Sequence, residues 1–343
     1  MPNSNLNILI EENVPFVRGL LDEYANVRYL APDEFTPRNV ADADAMIVRT
    51  RTRCNRDLLD KSRCKLIATA TIGTDHIDLP FCASRSITVV NAPGCNAPAV
   101  AQYVFASLLA VVNRPLCELT IGIVGLGHVG SIVENWARSL DMKVLRCDPP
   151  RQRCEGGEWN TMEEIAAQAD IITFHTPLTR EGADATYHLA DEAFFSSLRR
   201  TPVIVNSARG PIVDTAALIE ARRKGLVGPL ILDCWENEPE IDRTLLDMAA
   251  VATPHIAGYS RPGKVRASQQ ALDAITTMFM LPRVTLDQPL PPAPARSVRI
   301  ADICAGYDPM ADTQALKSDP AAFEGLRNHY HLRDEVPEGS TPD

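Results

Sequence analysis

Three polar residues far apart in the chain each follow an apolar stretch, and their types suit one kind of chemistry. Arg209 lies in VIVNSARG, Glu238 in LDCWENEPE and His255 in VATPHIAG. A guanidinium binds a carboxylate and stabilises negative charge on a carbonyl oxygen. An imidazole accepts the proton of an alcohol, and a neighbouring carboxylate orients the ring and makes it more basic. Together the three residues are suited to oxidising a 2-hydroxy acid.

Each of the three residues also has a purely structural interpretation. Arg209 suits a surface loop, Glu238 a solvated position before Pro239, and His255 a capping or core position. The catalytic interpretation depends on all three following strands of one parallel sheet, because ligands bind at the carboxyl edge of such sheets.

A glycine-rich turn, GLGHVG, predicts a dinucleotide site, since it follows the apolar run TIGIV and opens a helical pattern. In such turns the first glycine, Gly125, permits the tight turn, and the second, Gly127, lets the backbone approach a pyrophosphate. The third, Gly130, lets the helix pack against the strand. Amides at the start of the helix, at His128 and Val129, would bind the anion.

An acidic residue then favours one form of the cofactor. Asp148 ends the next apolar run, where a carboxylate accepts hydrogen bonds from the ribose hydroxyls and repels a 2′-phosphate. The cofactor predicted is therefore NAD, although Arg146, Arg151 and Arg153 nearby leave NADP open. The alternative is that the glycines only make a tight turn.

The elements that would position these residues follow from a repeated alternation of apolar runs and helical patterns. Before residue 96 the apolar runs are NILIE, NVRYL, AMIVRT, KLIATA and ITVVN, with a helix predicted over VPFVRGLLDEYA. From Thr120 they are TIGIV, MKVLRCD, DIITFHT, PVIVNS, PLILDC and AVATPH, with a helix predicted from His128 to about Leu140. This alternation predicts an α/β fold with two doubly wound parallel-sheet domains. The apolar run over 97–113 predicts a helix buried between domains, and PGKVRASQQALDAITTMFM an amphipathic helix.

Composition excludes several classes of protein. The chain has 343 residues, 45% of them hydrophobic, and a formal net charge of −10, which argues against a nucleic-acid binder. The sequence shows neither a leader peptide nor a membrane-spanning run, so we expect a cytoplasmic protein with no membrane partner. Nine cysteines without a CxxC pair predict reduced thiols and no metal site.

The run from Gly125 through Ser260 resembles the D-isomer-specific 2-hydroxyacid dehydrogenases. This resemblance implies that Arg209, Glu238 and His255 are the catalytic residues. It also implies a discontinuous, flavodoxin-like substrate-binding domain, residues 1–96 and 258–285, into which a Rossmann NAD-binding domain, residues 97–257, is inserted. Residues 286–343 would then be a shortened C-terminal tail related to a dimerisation domain.

Several segments narrow the resemblance to a branch of that family that acts on a phosphorylated 2-hydroxy acid. They are ILIEENVPF, DADAMIVRT, TATIGTDHID, NAPGCNAPAVAQYVF, CDPPR, ITFHTPL, DCWENEPE and PHIAGYSRPGK. The resemblance implies substrate contacts at Arg49, Thr50, Thr71 and Tyr259. It implies NAD contacts at Asp148, Thr176, Asp233 and Gly258, and a homodimer, for which the helix over 97–113 is one route.

The residues near Arg49 also support an anionic substrate on their own. If VRTRTRC continued as a strand, the period of two would place Arg49, Arg51 and Arg53 on one face. Arginines this close suit a phosphate or carboxylate, although Arg51 and Arg53 could equally be solvated. Cys95, within GCNA, is interpreted as a packing residue.

Two alternatives remain open. The chain could be another 2-hydroxyacid dehydrogenase, of the phosphoglycerate or the glyoxylate/hydroxypyruvate type. It could also be an NAD-sensing regulatory protein, because such regulators use the same fold and retain the same three residues.

Overall fold

The structure, a computed structural model, describes residues 5–336. These residues form two units, one of residues 5–96 and 261–292 and the other of residues 97–260 and 293–336. The C-terminal segment, defined here as residues 293–336, therefore groups with the second unit, and residues 286–292 group with the first.

Within the described residues the strands are β1 (Asn7–Glu11), β2 (Asn26–Leu30), β3 (Ala45–Val48), β4 (Leu66–Thr69), β5 (Thr88–Val90), β6 (Thr120–Val124), β7 (Lys143–Cys147), β8 (Ile171–Phe174), β9 (Val203–Asn206), β10 (Leu230–Leu232) and β11 (Val251–Ala252). The α-helices are α1 (Pro37–Val40), α2 (Arg56–Leu59), α3 (Leu79–Ser84), α4 (Ala97–Val111), α5 (His128–Ser139), α6 (Pro149–Glu155), α7 (Met162–Gln168), α8 (Glu192–Ser197), α9 (Thr215–Arg223), α10 (Arg243–Met248), α11 (Arg261–Met278), α12 (Ile300–Gly306), α13 (Pro309–Ser318) and α14 (Phe323–Asn328).

The first unit contains a parallel sheet in the order β2-β1-β3-β4-β5. This is the flavodoxin-like order, and it confirms the predicted fold of this region. The sheet is buried on both faces: Ile8 and Ile10 pack on one side with Leu272 of α11, and Leu9 packs on the other. Burial on both faces explains why these strands are continuous apolar runs in the sequence.

One predicted element of the first unit is wrong. The run over 14–25 forms a series of turns instead of a helix. Phe16 has φ 67° and Gly19 has φ 84°, whereas a right-handed helix needs φ near −63° throughout. The apolar positions of this run still reach the core, since Val17 and Leu21 are buried.

The second unit contains a parallel sheet in the order β11-β10-β9-β8-β6-β7. The chain reverses direction across the sheet between β6 and β8, where dinucleotides bind in folds of this kind. The helix predicted from His128 forms as α5 and ends at Ser139. The two-domain α/β fold class is therefore confirmed.

The apolar run over 97–113 forms α4, whose residues 97–108 are all buried. The helices α5, α12 and α13 of the same unit pack against it. The helix α4 is therefore largely a core element of the second unit, and its last turn, residues 109–111, is partly exposed.

None of the helices within residues 5–336 is both long and apolar enough to span a membrane. All nine cysteines are free thiols, as expected, and six of them are buried.

Candidate active site

The loops after three neighbouring strands carry the three predicted catalytic residues. Arg209 follows β9, Glu238 follows β10 and His255 follows β11. These strands are adjacent and parallel, so their carboxyl ends lie at one edge of the sheet. The fold thus brings together residues that are up to 46 positions apart in the sequence.

Glu238 and His255 form a direct pair. His255 Nδ1 and Glu238 Oε2 are 2.8 Å apart, and since an ionised carboxylate can only accept, Nδ1 is the donor. Glu238 Oε1 accepts a second hydrogen bond from the amide of Trp235, at 2.8 Å. Glu238 therefore orients the ring through Nδ1, and the ring also forms a hydrogen bond with the side chain of Cys234. The two side chains are 26% and 18% exposed.

The pair has shifted acid–base properties. Burial by itself lowers the pKa of His255, but the neighbouring Cys234 sulfur and the Glu238 carboxylate outweigh it and raise this pKa well above its usual value. Burial raises the pKa of Glu238, yet the charge of His255 and their hydrogen bond leave it lower than usual. The pair thus favours an imidazolium beside a carboxylate.

Arg209 begins a short turn after β9. Its Nη1 donates to the carbonyl of Ala208 at 2.7 Å. The side chain of Asn206 donates to the carbonyl of Arg209 at 2.9 Å and accepts from the amide of Ala208 at 3.2 Å. A buried asparagine at the end of the strand therefore fixes the backbone on both sides of Arg209.

The three glycines of the turn each meet a different steric requirement. Gly125 has φ 88°, and a Cβ there would lie 2.8 Å from the backbone of His175 and Thr176. A Cβ on Gly130 would lie 2.0 Å from the carbonyl oxygen of Gly125. A Cβ on Gly127 would meet nothing within 4 Å, so open space lies over this residue. This arrangement matches a turn that admits a phosphate at its middle glycine.

Asp148 joins the glycine turn to the next helix. Its Oδ2 accepts from the amide of Leu126 at 2.8 Å, and its Oδ1 accepts from the amide of Arg151 at the start of α6, at 3.0 Å. The neighbouring arginines have other partners: Arg151 pairs with Glu155, Arg153 with Asp184, and Arg146 donates to the carbonyl of Glu158.

The other residues expected to contact the cofactor have different environments. His128 and Val129 begin α5, where His128 is exposed. Thr176 Oγ1 is buried without a hydrogen-bond partner in the structure, and Gly258 is half-buried.

Asp233 is buried, and its carboxylate accepts three hydrogen bonds from residues of the same unit. Oδ1 accepts from Thr253 Oγ1 and the amide of Ile256, both at 2.7 Å, and Oδ2 accepts from the amide of Ala257 at 3.0 Å. Burial raises the pKa of Asp233. Its carboxylate fixes the backbone that follows His255.

In the first unit, the predicted substrate contacts lie at the carboxyl edge of that unit's sheet. Arg49 and Thr50 follow β3, and Thr71 follows β4. Thr50 is exposed, and Thr71 Oγ1 donates to the carbonyl of Gly73 at 3.0 Å. Arg49 Nη1 donates to the carbonyl of Asn13 at 3.0 Å, and its Nε is buried without a partner.

Sequence reasoning missed Glu11, which organises this edge. Its carboxylate is buried and accepts from the amide of Arg49 and from Thr52 Oγ1, both at 2.8 Å. A signal was present, since an acidic residue ends the apolar run NILIE.

The strand geometry expected for the three nearby arginines does not occur. Strand β3 ends at Val48, and residues 49–53 form a loop. Arg51 and Arg53 are exposed and line a shallow cleft with Phe35. Cys95 is buried in the apolar core of the first unit, as expected of a packing residue.

Tyr259, in the second unit, has a partner that the sequence did not indicate. Arg327 of α14 donates from Nε to the hydroxyl of Tyr259 at 3.2 Å. Burial by itself lowers the pKa of Arg327, but Tyr259 and then the charge of the nearby Glu238 outweigh it and raise this pKa. The C-terminal segment thus reaches the active-site loops of its own unit.

Within residues 5–336, one cluster of side chains could hold a cation. The ligand atoms of Cys234, Glu238 and His255 all lie within 4.8 Å of one another. Two of these are the proposed acid–base pair, and hydride transfer to a nicotinamide requires no metal.

Comparisons with known proteins agree with this geometry. Residues 102–257 match the family model for the "D-isomer specific 2-hydroxyacid dehydrogenase, NAD binding domain". The chain is 45% identical over 340 residues to erythronate-4-phosphate dehydrogenase of Bacteroides thetaiotaomicron, covering 96% of this chain and 97% of the relative. It is 38% identical over 356 residues to the enzyme of that name from Pseudomonas fluorescens, covering 96% and 93%.

A solved structure supports the fold. D-lactate dehydrogenase from Aquifex aeolicus, complexed with NAD and lactic acid, superposes with a TM-score of 0.68 at 26% identity. The similarity covers 80% of this chain and 95% of that one.

Proposed function

The chain belongs to the D-isomer-specific 2-hydroxyacid dehydrogenase family, and we propose that it is an erythronate-4-phosphate dehydrogenase. The reaction is the NAD-dependent oxidation of 4-phospho-D-erythronate to 3-hydroxy-2-oxo-4-phosphooxybutanoate, a step in pyridoxal 5′-phosphate (vitamin B6) biosynthesis. The identity to enzymes of that name over nearly the whole chain supports this substrate.

The observation that carries the proposal is the 2.8 Å hydrogen bond between His255 and Glu238. It lies at the carboxyl edge of the sheet that also carries the glycine turn, where a bound dinucleotide would place its reactive end. A histidine oriented by a carboxylate at that edge is the acid–base group that oxidation of an alcohol needs.

The residues of the glycine turn fit NAD. The open space over Gly127 would take the pyrophosphate, and the unpartnered Thr176 Oγ1 offers a hydrogen bond toward the ligand. Asp148 disfavours a 2′-phosphate, and Arg146, Arg151 and Arg153, which could have bound one, have partners of their own. When bound, NAD supplies the acceptor for the hydride that leaves C2.

We assign the steps of the reaction to residues as follows. His255 Nε2 takes the proton of the C2 hydroxyl as the C2–H bond breaks and the C2–O double bond forms. Glu238 holds the ring through Nδ1 and stabilises the imidazolium that results. Arg209 binds the substrate carboxylate and stabilises the charge that develops on the C2 oxygen.

Substrate contacts are proposed for Arg49, Thr50, Thr71 and Tyr259. Arg49 has a buried Nε without a partner, and Thr50 is exposed at the end of β3. A guanidinium with adjacent hydroxyls suits the phosphate or carboxylate of the substrate.

The test is NADH formation by the purified protein with 4-phospho-D-erythronate, measured beside 3-phosphoglycerate and the hydroxy acids of the glyoxylate/hydroxypyruvate group. We expect the phosphorylated four-carbon acid to have the highest kcat/KM. Preference for another acid would assign the chain to that activity. Binding of NADH with no turnover of any acid would indicate a regulatory protein.

We also propose that the protein acts in the cytoplasm as a homodimer. Size-exclusion chromatography with light scattering tests the dimer, and a monomer at micromolar concentration would contradict it.

A further inference from the structure

Residues 256–260, which follow His255, are named here the post-histidine loop. Two buried side chains of the second unit form hydrogen bonds with the backbone of this loop. On one side lies Asp233. Its carboxylate accepts from the amides of Ile256 and Ala257, and its carbonyl accepts from the amide of His255 at 2.9 Å. His255 has φ 56°, a left-handed conformation that an L-residue keeps only when its surroundings fix it. Asp233 therefore holds the amide groups of this segment.

On the other side lies Arg333 of the C-terminal segment. Its Nη1 donates to the carbonyls of Ile256 and Tyr259, at 3.1 and 3.2 Å. Its Nη2 donates to the carbonyl of Ala257 and, at 3.2 Å, to the carbonyl of Ala99 at the start of α4. Arg333 is 8% exposed. It thus connects three carbonyls of the post-histidine loop to a buried helix.

A guanidinium is suited to this position because it is planar and carries five N–H donors in a fixed arrangement. A lysine has the same charge, but its compact ammonium cannot reach carbonyls on both sides. The ring of Tyr307 lies 4.3 Å from the guanidinium carbon of Arg333. The hydroxyl of Tyr330 accepts from Arg333 at 3.3 Å and donates to Asp312 at 3.2 Å. A hydroxyl thus links the buried cation to a carboxylate.

Further bonds, beside those of the Arg333 guanidinium, join the same two segments. Ser260 Oγ donates to Glu335 Oε1 at 2.6 Å, and the backbones of Ser260 and Arg333 pair as an isolated parallel bridge. The end of the post-histidine loop is therefore also attached to the C-terminal segment.

We propose that Arg333 is a positioning residue for the reaction, fixing the post-histidine loop and through it the ring of His255 and the backbone of Gly258 and Tyr259. The C-terminal segment is then part of the catalytic apparatus of its own chain. This inference rests on the proposed function insofar as it assigns proton transfer to His255.

The first test compares the full-length Arg333→Gln and Arg333→Lys variants with Lys317→Met. Lys317 is a matched control, because this cation of the same segment also donates to a carbonyl, that of Ala249 at 2.6 Å, which follows α10 and lies outside the post-histidine loop. We expect kcat for oxidation to fall about tenfold to a hundredfold in both Arg333 variants. The dissociation constant for NADH, measured by fluorescence, should rise by a smaller factor than kcat falls, because the glycine turn is untouched and only the proposed NAD contact at Gly258 is affected. Lys317→Met should keep wild-type kcat. Folded Arg333 variants with wild-type kcat would overturn the proposal.

The second test separates positioning from general loss of structure. Added guanidinium ion at millimolar concentration should restore part of kcat to Arg333→Ala, whereas equal sodium chloride should not. Should Arg333→Gln not fold, Glu335→Ala, which removes the carboxylate that accepts from Ser260, replaces it. A fewfold loss of kcat at unchanged melting temperature is expected, and an unchanged kcat contradicts the proposal.

A third readout needs no substrate and so keeps this proposal distinct from the proposed function. The titration of His255 can be followed by NMR in the wild type and in Arg333→Gln. The ionisable groups facing this ring are Glu238, Cys234 and Asp233. If Arg333 positions the ring against Glu238, its titration moves to lower pH in the variant. An unchanged titration overturns the positioning role even where the wild type does not oxidise 4-phospho-D-erythronate.

Discussion

Gly210 and Trp235 approach so closely that a Cβ on Gly210 would lie 1.9 Å from the carbonyl oxygen of Trp235. Gly210 directly follows Arg209, and the amide of Trp235 donates to Glu238. The turn that carries the proposed carboxylate-binding arginine therefore packs directly on the loop that carries the orienting carboxylate.

This contact predicts that Gly210→Ala is strongly impaired. A backbone carbonyl cannot move aside as a flexible side chain can, so we expect a loss of about 1–3 kcal/mol in the free energy of unfolding. The kcat should fall as well, because Arg209 and Glu238 move apart. Gly325→Ala is the control, since a Cβ on Gly325 would meet nothing within 4 Å. Urea denaturation and initial rates measure the two effects, and wild-type behaviour of Gly210→Ala would disprove this close packing.

The raised pKa of His255 predicts the pH dependence of the reaction. Oxidation needs the neutral ring as proton acceptor, so kcat/KM for the hydroxy acid should rise with pH through a value above the usual 6.5 of histidine. The reverse reduction needs the imidazolium and should fall over the same range.

Glu238→Gln tests whether His255 causes this rise of kcat/KM with pH, here called the rising limb. Removing the negative charge lowers the pKa of His255, so the rising limb should move about one pH unit or more toward acid, with a lower maximum rate. Glu236→Gln is a comparison in the same loop, because Glu236 pairs with His188 instead, at 2.8 Å. A limb that stays in place in Glu238→Gln would assign the titration to another group.

Asp148 is expected to combine two roles, capping α6 and binding the ribose. Asp148→Ala should lose about 1 kcal/mol of stability from the cap. Its affinity for NAD should fall roughly tenfold to a hundredfold, and its discrimination against NADP should weaken. Asp191→Ala removes an equivalent cap, on α8, where Asp191 accepts from the amide of Phe194 at 2.9 Å. Asp191→Ala should lose stability without losing NAD affinity. Calorimetric titration with NAD therefore distinguishes this variant from Asp148→Ala.

Glu11 is expected to support substrate binding by fixing the backbone of Arg49. In Glu11→Ala, KM for the hydroxy acid should rise roughly tenfold with little change in the affinity for NAD. Asp44→Ala is the control within the same sheet, because Asp44 is also buried and accepts from the amide of Asn7 and from Arg63, but it precedes β3. Equal changes of KM in both variants would show that Glu11 affects substrate binding only through the stability of the fold.

The sequence predicted features whose cause is local. The helix α5 follows from a glycine turn and a regular apolar pattern, and the order of strands and helices follows from their alternation. Residues 14–25 have an equally helical pattern, but Phe16 and Gly19 adopt positive φ. Because the fold sets these angles, the pattern alone could not exclude a helix there.

The site was predictable only in part, for a related reason. The types of Arg209, Glu238 and His255 and their positions after strands indicated their chemistry. The bond from Glu11 to Arg49 spans 38 positions, and the bond from Arg333 to Ile256 spans 77. The spacing of residues in the sequence does not predict such distant pairs. The residues that fix the backbone of the site could therefore be identified only from the structure.

The most direct test of the account is NADH formation from 4-phospho-D-erythronate by the wild type and by His255→Asn, with NADH binding measured on both. We predict turnover by the wild type, a loss of about a hundredfold to ten-thousandfold in kcat for the variant, and similar NADH affinity for the two. Near-normal turnover by His255→Asn would contradict the assignment of His255 as the proton acceptor.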